Sequence, residues 1–107
     1  MAKYIALDTL KKSADEVMTF VADISPNFAR AMAVDTAPAK CIKIWNPIPN
    51  GRTDYVFCLW EAENPEEINI AIEALRDYLT VDIFKVDEID WKGLAESLNV
   101  EPQPQKS

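Results

Sequence analysis

The chain contains no histidine. That removes the commonest general base, the usual Ser–His–Asp triads and most transition-metal sites. It has only two glycines, Gly51 and Gly93, so neither a P-loop nor a G-x-G-x-x-G dinucleotide loop is present, and the sequence implies no cofactor. Cysteine is equally scarce, with Cys41 and Cys58 alone. Two cysteines make neither a disulfide framework nor a structural zinc site, and their spacing is not that of a redox C-x-x-C motif. Both read as reduced, small apolar side chains. No apolar run approaches the roughly 20 residues of a membrane helix, and Asp8 breaks the N-terminal stretch before it forms a signal-peptide core. A cytoplasmic location is expected. Basic residues are few, 11 Lys and Arg against 18 Asp and Glu, for a net charge of −7. That field repels phosphate backbones, and no Lys/Arg cluster marks an anionic bilayer, so neither nucleic acid nor membrane is an expected partner.

What is present is enough for one core. The chain has 107 residues, 49% of them hydrophobic, the size of one domain that buries roughly two-thirds of its unfolded surface. Residues 1–100 read as that domain. Residues 101–107, with Pro102 and Pro104, read as a flexible tail.

The pattern of elements is α+β. Residues 3–9 carry Tyr4, Ile5, Leu7 and Thr9 and read as a first strand. Ser13 followed by Glu16 is a capping box, and Val17, Phe20, Val21 and Ile24 recur at helical spacing after it. Pro26 is expected to interrupt that helix, with Ser25 capping a short continuation that carries Phe28 and Met32. Residues 39–46 read as a second strand. Pro47 and Pro49 would extend it as an unpaired edge, and Asn50-Gly51 then turns the chain. A third strand over 53–61 alternates Tyr55, Phe57 and Leu59 with Val56, Cys58 and Trp60. Asn64-Pro65-Glu66-Glu67 opens a second helix with Ile68, Ile72, Leu75 and Leu79 as its stripe. A fourth strand covers 81–86, and Asp90 caps a short helix bearing Trp91, Leu94 and Leu98. The order β-α-β-β-α-β predicts a ferredoxin-like, four-stranded antiparallel sheet with helices on one face and strands two and four at its edges. Lys43 and Lys85 then fall on edge strands, where lysine discourages stray pairing.

The sheet reads as apolar on both faces. Ile42, Ile44, Tyr55, Phe57 and Leu59 are expected beneath the helices, which leaves Cys41, Lys43, Trp45, Val56, Cys58 and Trp60 on the other side. A monomer seldom leaves tryptophans of that kind in water. The expected cover is a second copy of the chain, sheet on sheet about a two-fold axis. The alternative is that the C-terminal helix, with Trp91 and Leu98, folds under the sheet. Tyr4, Lys43, Trp45, Val56, Cys58 and Trp60 are therefore the candidates for a dimer face or for the wall of an apolar ligand pocket. Asp8, Lys43, Arg52 and Asp54 are candidate polar contacts. Cys58 has no visible base beside it and reads as packing. The acids Asp82, Asp87, Glu88 and Asp90 lack metal-loop spacing and read as strand ends and a helix cap.

With these elements placed, the chain resembles the dimeric α+β barrel superfamily, and within it small bacterial families of unknown function. The resemblance covers most of residues 3–91. It rests on the Asn50-Gly51-Arg52-Thr53-Asp54 turn, on Cys58-Leu59-Trp60-Glu61-Ala62, and on Asn64-Pro65-Glu66. Leu79-Thr80-Val81-Asp82-Ile83 and Val86-Asp87-Glu88-Ile89 add to it. It implies a homodimer whose ligand, if one is bound, lies between helices and sheet or inside the barrel. Cofactor-independent monooxygenases are among the relatives it implies, together with His-dependent and haem-degrading families whose residues this chain lacks. Three readings follow: a homodimer binding a small apolar or aromatic molecule, a cofactor-independent enzyme of the monooxygenase type with Asp8, Lys43 or Tyr4 as base, or a structural or regulatory protein with a filled interior. A pocket holding a buried ionisable group favours the second.

Overall fold

The computed structural model describes residues 1–52 and 54–101. Thr53, expected to open the third strand, and the prolines of the tail, Pro102 and Pro104, lie outside the described residues. The chain runs β1 (Ala2–Leu10), α1 (Ala14–Met32), β2 (Ala39–Trp45), β3 (Tyr55–Ala62), α2 (Pro65–Ala71), β4 (Leu79–Val86) and α3 (Trp91–Ser97). The strands form one antiparallel sheet in the order β2-β3-β1-β4. This is the ferredoxin-like arrangement, with β2 and β4 at the edges. No helix among the described residues is long and apolar enough to cross a membrane.

The helix starts are set by their caps. The Ser13 hydroxyl accepts the Glu16 N–H at 3.2 Å, and the Asn64 side-chain oxygen accepts that of Glu67 at 3.2 Å with Pro65 in the first turn. Asp90 accepts the Lys92 N–H at 3.2 Å and opens α3.

Two expectations about prolines are corrected. Helix α1 does not stop at Pro26 but runs through it. Pro26 deprives the Ala22 carbonyl of its donor, yet both residues are exposed, so that carbonyl is open to solvent rather than buried unpaired. The Ser25 hydroxyl meanwhile donates to the Val21 carbonyl at 2.6 Å. Strand β2 ends at Trp45, and Pro47 and Pro49 do not extend it. They start a 3-10 turn, Ile48–Asn50, which Gly51 closes at φ 100°. The edge position of β2 is as expected; its prolines are not the cause.

On β3 the two faces of the sheet are the reverse of the expected ones, whereas on β2 Ile44, Lys43 and Trp45 lie on the faces expected for them and Cys41 does not. Val56, Cys58 and Trp60 lie beneath the helices with Tyr4, Ala6 and Asp8 of β1 opposite. Tyr55, Phe57 and Leu59 lie on the helix-free face. Small residues decide it. Ala2, Ala6, Ala39 and Ala62 sit on the covered face and admit the helix side chains, so Trp60, 2% exposed, takes the space beneath Phe28 of α1. On β2 a bulge at Ile42 shifts the register, with Cys41 opposite Trp60 and Lys43 opposite Leu59. Cys41 and Ile44 therefore face α1, while Lys43 and Trp45 join the open face.

The open face stays apolar and uncovered. Ile5, Leu7, Tyr55 and Leu59 are half-buried there, and Trp45, Phe57 and Phe84 are exposed, Trp45 by 48%. Helix α3 does not fold under it: Trp91 is 76% exposed and Leu98 is exposed as well.

Candidate functional site

Helix α1 sits loosely on the sheet. Of its residues only Val17 is fully buried. The gap beneath it is a cavity of about 110 Å³. Its roof is the α1 stripe of Val17, Val21, Ile24 and Phe28, and its floor is Asp8, Cys58 and Trp60 of the central strands. Cys41 and Ile44 of the β2 edge close one side, and Ile72, Leu75 and Leu79 close the other. The stripe that builds the roof follows directly from the helical spacing of the sequence.

One charged side chain is placed in this apolar enclosure. Asp8 continues the covered positions Tyr4 and Ala6 of β1 and is 6% exposed. Its side chain has one hydrogen-bond partner among the described residues: the Cys58 thiol donates to Asp8 Oδ2 at 3.3 Å. A carboxylate normally collects several strong donors when buried. Lacking them, Asp8 has its pKa pushed up to about 6 by burial, with the Cys58 bond drawing it back only in part.

Cys58 therefore has a basic neighbour that the sequence did not reveal, but that neighbour does not make it a nucleophile. Contact with the Cys41 thiol, burial and the nearby charge of Asp8 all push the Cys58 thiol well up, so it remains protonated. Its part is to orient the carboxylate. A second polar atom on the floor is unsatisfied: Trp60 Nε1 is buried and has no hydrogen-bond partner among the described residues. The Trp60 ring is held edge-on by Phe28, centroids 6.0 Å apart at 82°. Asn46 and Ser25 also line the cavity. The Asn46 side-chain oxygen accepts the Ile48 N–H at 3.1 Å, which fixes it at the end of β2.

The structure thus brings four of the sequence candidates together on the covered face. Val56, Cys58 and Trp60 line the cavity, and Tyr4 is buried beside them without lining it. Lys43 and Trp45 are on the opposite face. Asp54 is also remote, held by the Arg52 guanidinium at 3.0 Å and kept below the usual carboxylate range by that bond. The side of the cavity formed by Ser25 and Asn46 had no signature in the sequence. Asp8 did: a charge in register with Tyr4 and Ala6 on an apolar strand is the mark of a functional or strained position. The arrangement can hold a small apolar body and offer it one proton acceptor, Asp8, in a site of low polarity.

No family model matches this chain, and no curated protein matches it. Among solved structures the chain is similar to SnoaB, a cofactor-independent oxygenase from Streptomyces nogalater, crystallised in a mutant form. The identity is 12% and the TM-score 0.46, over 83% of this chain and 93% of that one.

Proposed function

We propose that this protein binds a small, largely apolar molecule in the cavity beneath α1, and does so as a homodimer. The observation that carries the reading is Asp8, a carboxylate buried at the cavity floor with a single thiol donor. A fold keeps such a costly group when a ligand completes its hydrogen bonding. The volume limits the ligand. About 110 Å³ is somewhat less than the ~150 Å³ apolar cavity that takes up benzene. One ring, or an aliphatic chain of similar size, fits; a polycyclic molecule does not. The acidic net charge and Asp8 itself select against anions. The ligand is neutral or cationic, with one O–H or N–H directed at Asp8.

The pKa of Asp8 favours a second reading, a cofactor-independent enzyme of the monooxygenase type. A carboxylate near pKa 6 in a water-poor site is suited to withdraw an acidic proton from an apolar substrate. In both readings residues 1–100 act as one domain followed by a tail, in the cytoplasm, where the two unpaired cysteines stay reduced.

Native mass spectrometry of the purified protein tests the reading. The expected result is a dimer at twice 12.1 kDa, and a set of single-ring phenols and amines that adds mass to wild type but not to Asp8→Asn. Uptake unaffected by Asp8→Asn, or no uptake by wild type of any molecule in the set, overturns the binding reading. Conversion of a bound phenol under air by wild type, and not by the variant, selects the enzyme.

A further inference from the structure

The sheet brings the chain's two cysteines together. In the register of β2 on β3, Cys41 lies opposite Trp60 and Ile44 opposite Cys58. The cysteines are therefore diagonal neighbours on the covered face, and both line the cavity. The bulge at Ile42 bends β2 just beyond Cys41, and the two thiols meet. Their surroundings differ. Cys58 is buried on a central strand, where its thiol donates to Asp8 Oδ2 at 3.3 Å. Cys41 is half-buried on the edge strand, and apart from Cys58 its thiol reaches only the Lys43 carbonyl, at 3.9 Å, among the described residues.

We propose that Cys41 and Cys58 form a reversible disulfide in response to peroxide, with Cys41 as the sulfur that is oxidised, Cys58 as the sulfur that resolves it and Asp8 as the acceptor of the Cys58 proton. The bond from Cys58 holds the Cys41 thiol below its ordinary pKa, so the reactive thiolate is the half-buried one. That sulfur attacks hydrogen peroxide. An S–O bond forms, the O–O bond breaks, and the leaving hydroxide takes a proton from solvent to become water. Cys41 is then a sulfenic acid, oxidised by two electrons. The bond to Cys41, the first cause of the high pKa of Cys58, is lost with the thiolate. Asp8 takes the Cys58 proton as the Cys58 sulfur attacks Cys41. The S–S bond forms, the S–O bond breaks, and hydroxide leaves with the proton from Asp8 as a second water. Two thiols and one hydrogen peroxide give one disulfide and two waters. Closing from contact to a bond of about 2 Å moves β2, an edge strand already interrupted by its bulge. In a reducing compartment such a bond is transient and reopens by exchange with a free dithiol. While it lasts, Asp8 lacks the thiol donor of the reduced form, so the state of the pair sets the hydrogen bonding of the cavity floor. Neither a ligand nor a second copy takes part.

Mass spectrometry tests the pair. Reduced wild-type protein is treated with a small excess of hydrogen peroxide at neutral pH, quenched with catalase, unfolded in urea with N-ethylmaleimide and weighed whole and as peptides. The expected product is a single chain lighter by two hydrogens, with no maleimide adduct and with the peptides of Cys41 and Cys58 linked, and dithiothreitol restores both thiols. The bond is expected to form at least tenfold faster in the folded protein than in the same chain treated in urea. Cys58→Ser stops at a sulfenic acid on Cys41 that dimedone traps, and Cys41→Ser gives no dimedone adduct. Asp8→Asn lets dimedone trap at least tenfold more of the sulfenic acid, because the closing step has lost its proton acceptor. Two maleimide adducts on peroxide-treated wild type, a bond formed no faster in the folded chain, or a sulfenic acid on Cys58 in place of Cys41 overturns the proposal. Closure unaffected by Asp8→Asn overturns the part given to Asp8 alone.

Discussion

A carboxylate on the floor of an apolar cavity loses hydration that one thiol does not replace. For Asp8 the consequence is a folded-state pKa near 6 against 3.8 for the free side chain. The folded form therefore holds the proton more tightly than the unfolded one. The contribution of Asp8 to stability is greatest below about pH 4, falls as the pH rises through the window from 3.8 to 6, and is lower by roughly 3 kcal/mol above it. Between pH 5 and 7.5 the loss is on the order of 1 kcal/mol by the same linkage. Asp8→Asn has no proton to lose. Urea unfolding is expected to show the variant gaining on wild type by about that amount between pH 5 and 7.5. Parallel pH profiles for the two proteins would contradict the assignment. Taking the difference between the proteins removes the contribution of exposed acids such as Asp54, whose pKa moves the other way.

At the scale of elements, Pro26 is the one residue that works against the helix containing it. An interior proline costs a helix about 3 kcal/mol, through the lost hydrogen bond and the clash with the preceding turn. Part of that is offset because proline also restricts the unfolded chain, by up to about 1 kcal/mol. Pro26→Ala is therefore expected to stabilise the protein by about 2 kcal/mol and to raise its Tm by several degrees. An unchanged or lower Tm would mean that Pro26 is needed for α1 to seat. The starts of the helices were legible in the sequence through Ser13, Asn64 and Asp90, and the strands through β-branched and aromatic alternation, but the second helix stops at Ala71, and Leu75 and Leu79, expected on its stripe, fall in a 3-10 turn and at the start of β4. The facing of the strands was not legible. Both flanks of β3 are apolar, so alternation separates Phe57 from Trp60 without saying which goes under the helices. That choice depends on the summed volume of Ala6, Ala39 and Ala62 against the α1 side chains, and on the bulge at Ile42, which leaves no mark in composition. The cavity was half legible for the same reason. Asp8 stands out on its strand, whereas a loosely seated α1 is a property of packing alone.

At the scale of the molecule, the homodimer proposed above separates what stabilises the chain, the covered face, from what would assemble it, the helix-free face. Trp60 is buried beneath α1, so Trp60→Ala is expected to cost about 3–5 kcal/mol of folding stability whatever the protein concentration. Phe57 lies near the middle of the open face, opposite Leu7 and Trp45, and is exposed in the single chain. Phe57→Lys removes little that the lone fold depends on, and surface changes of this kind stay within about 0.5 kcal/mol. In the proposed homodimer it would set two ammonium groups against each other between the stacked open faces, where neither would have a partner. The expected outcome is a monomer in size exclusion with light scattering at 10 μM, with thermal unfolding that no longer depends on concentration. A Phe57→Lys protein that elutes as wild type does, still dimeric, would show that the open face is not where the copies meet.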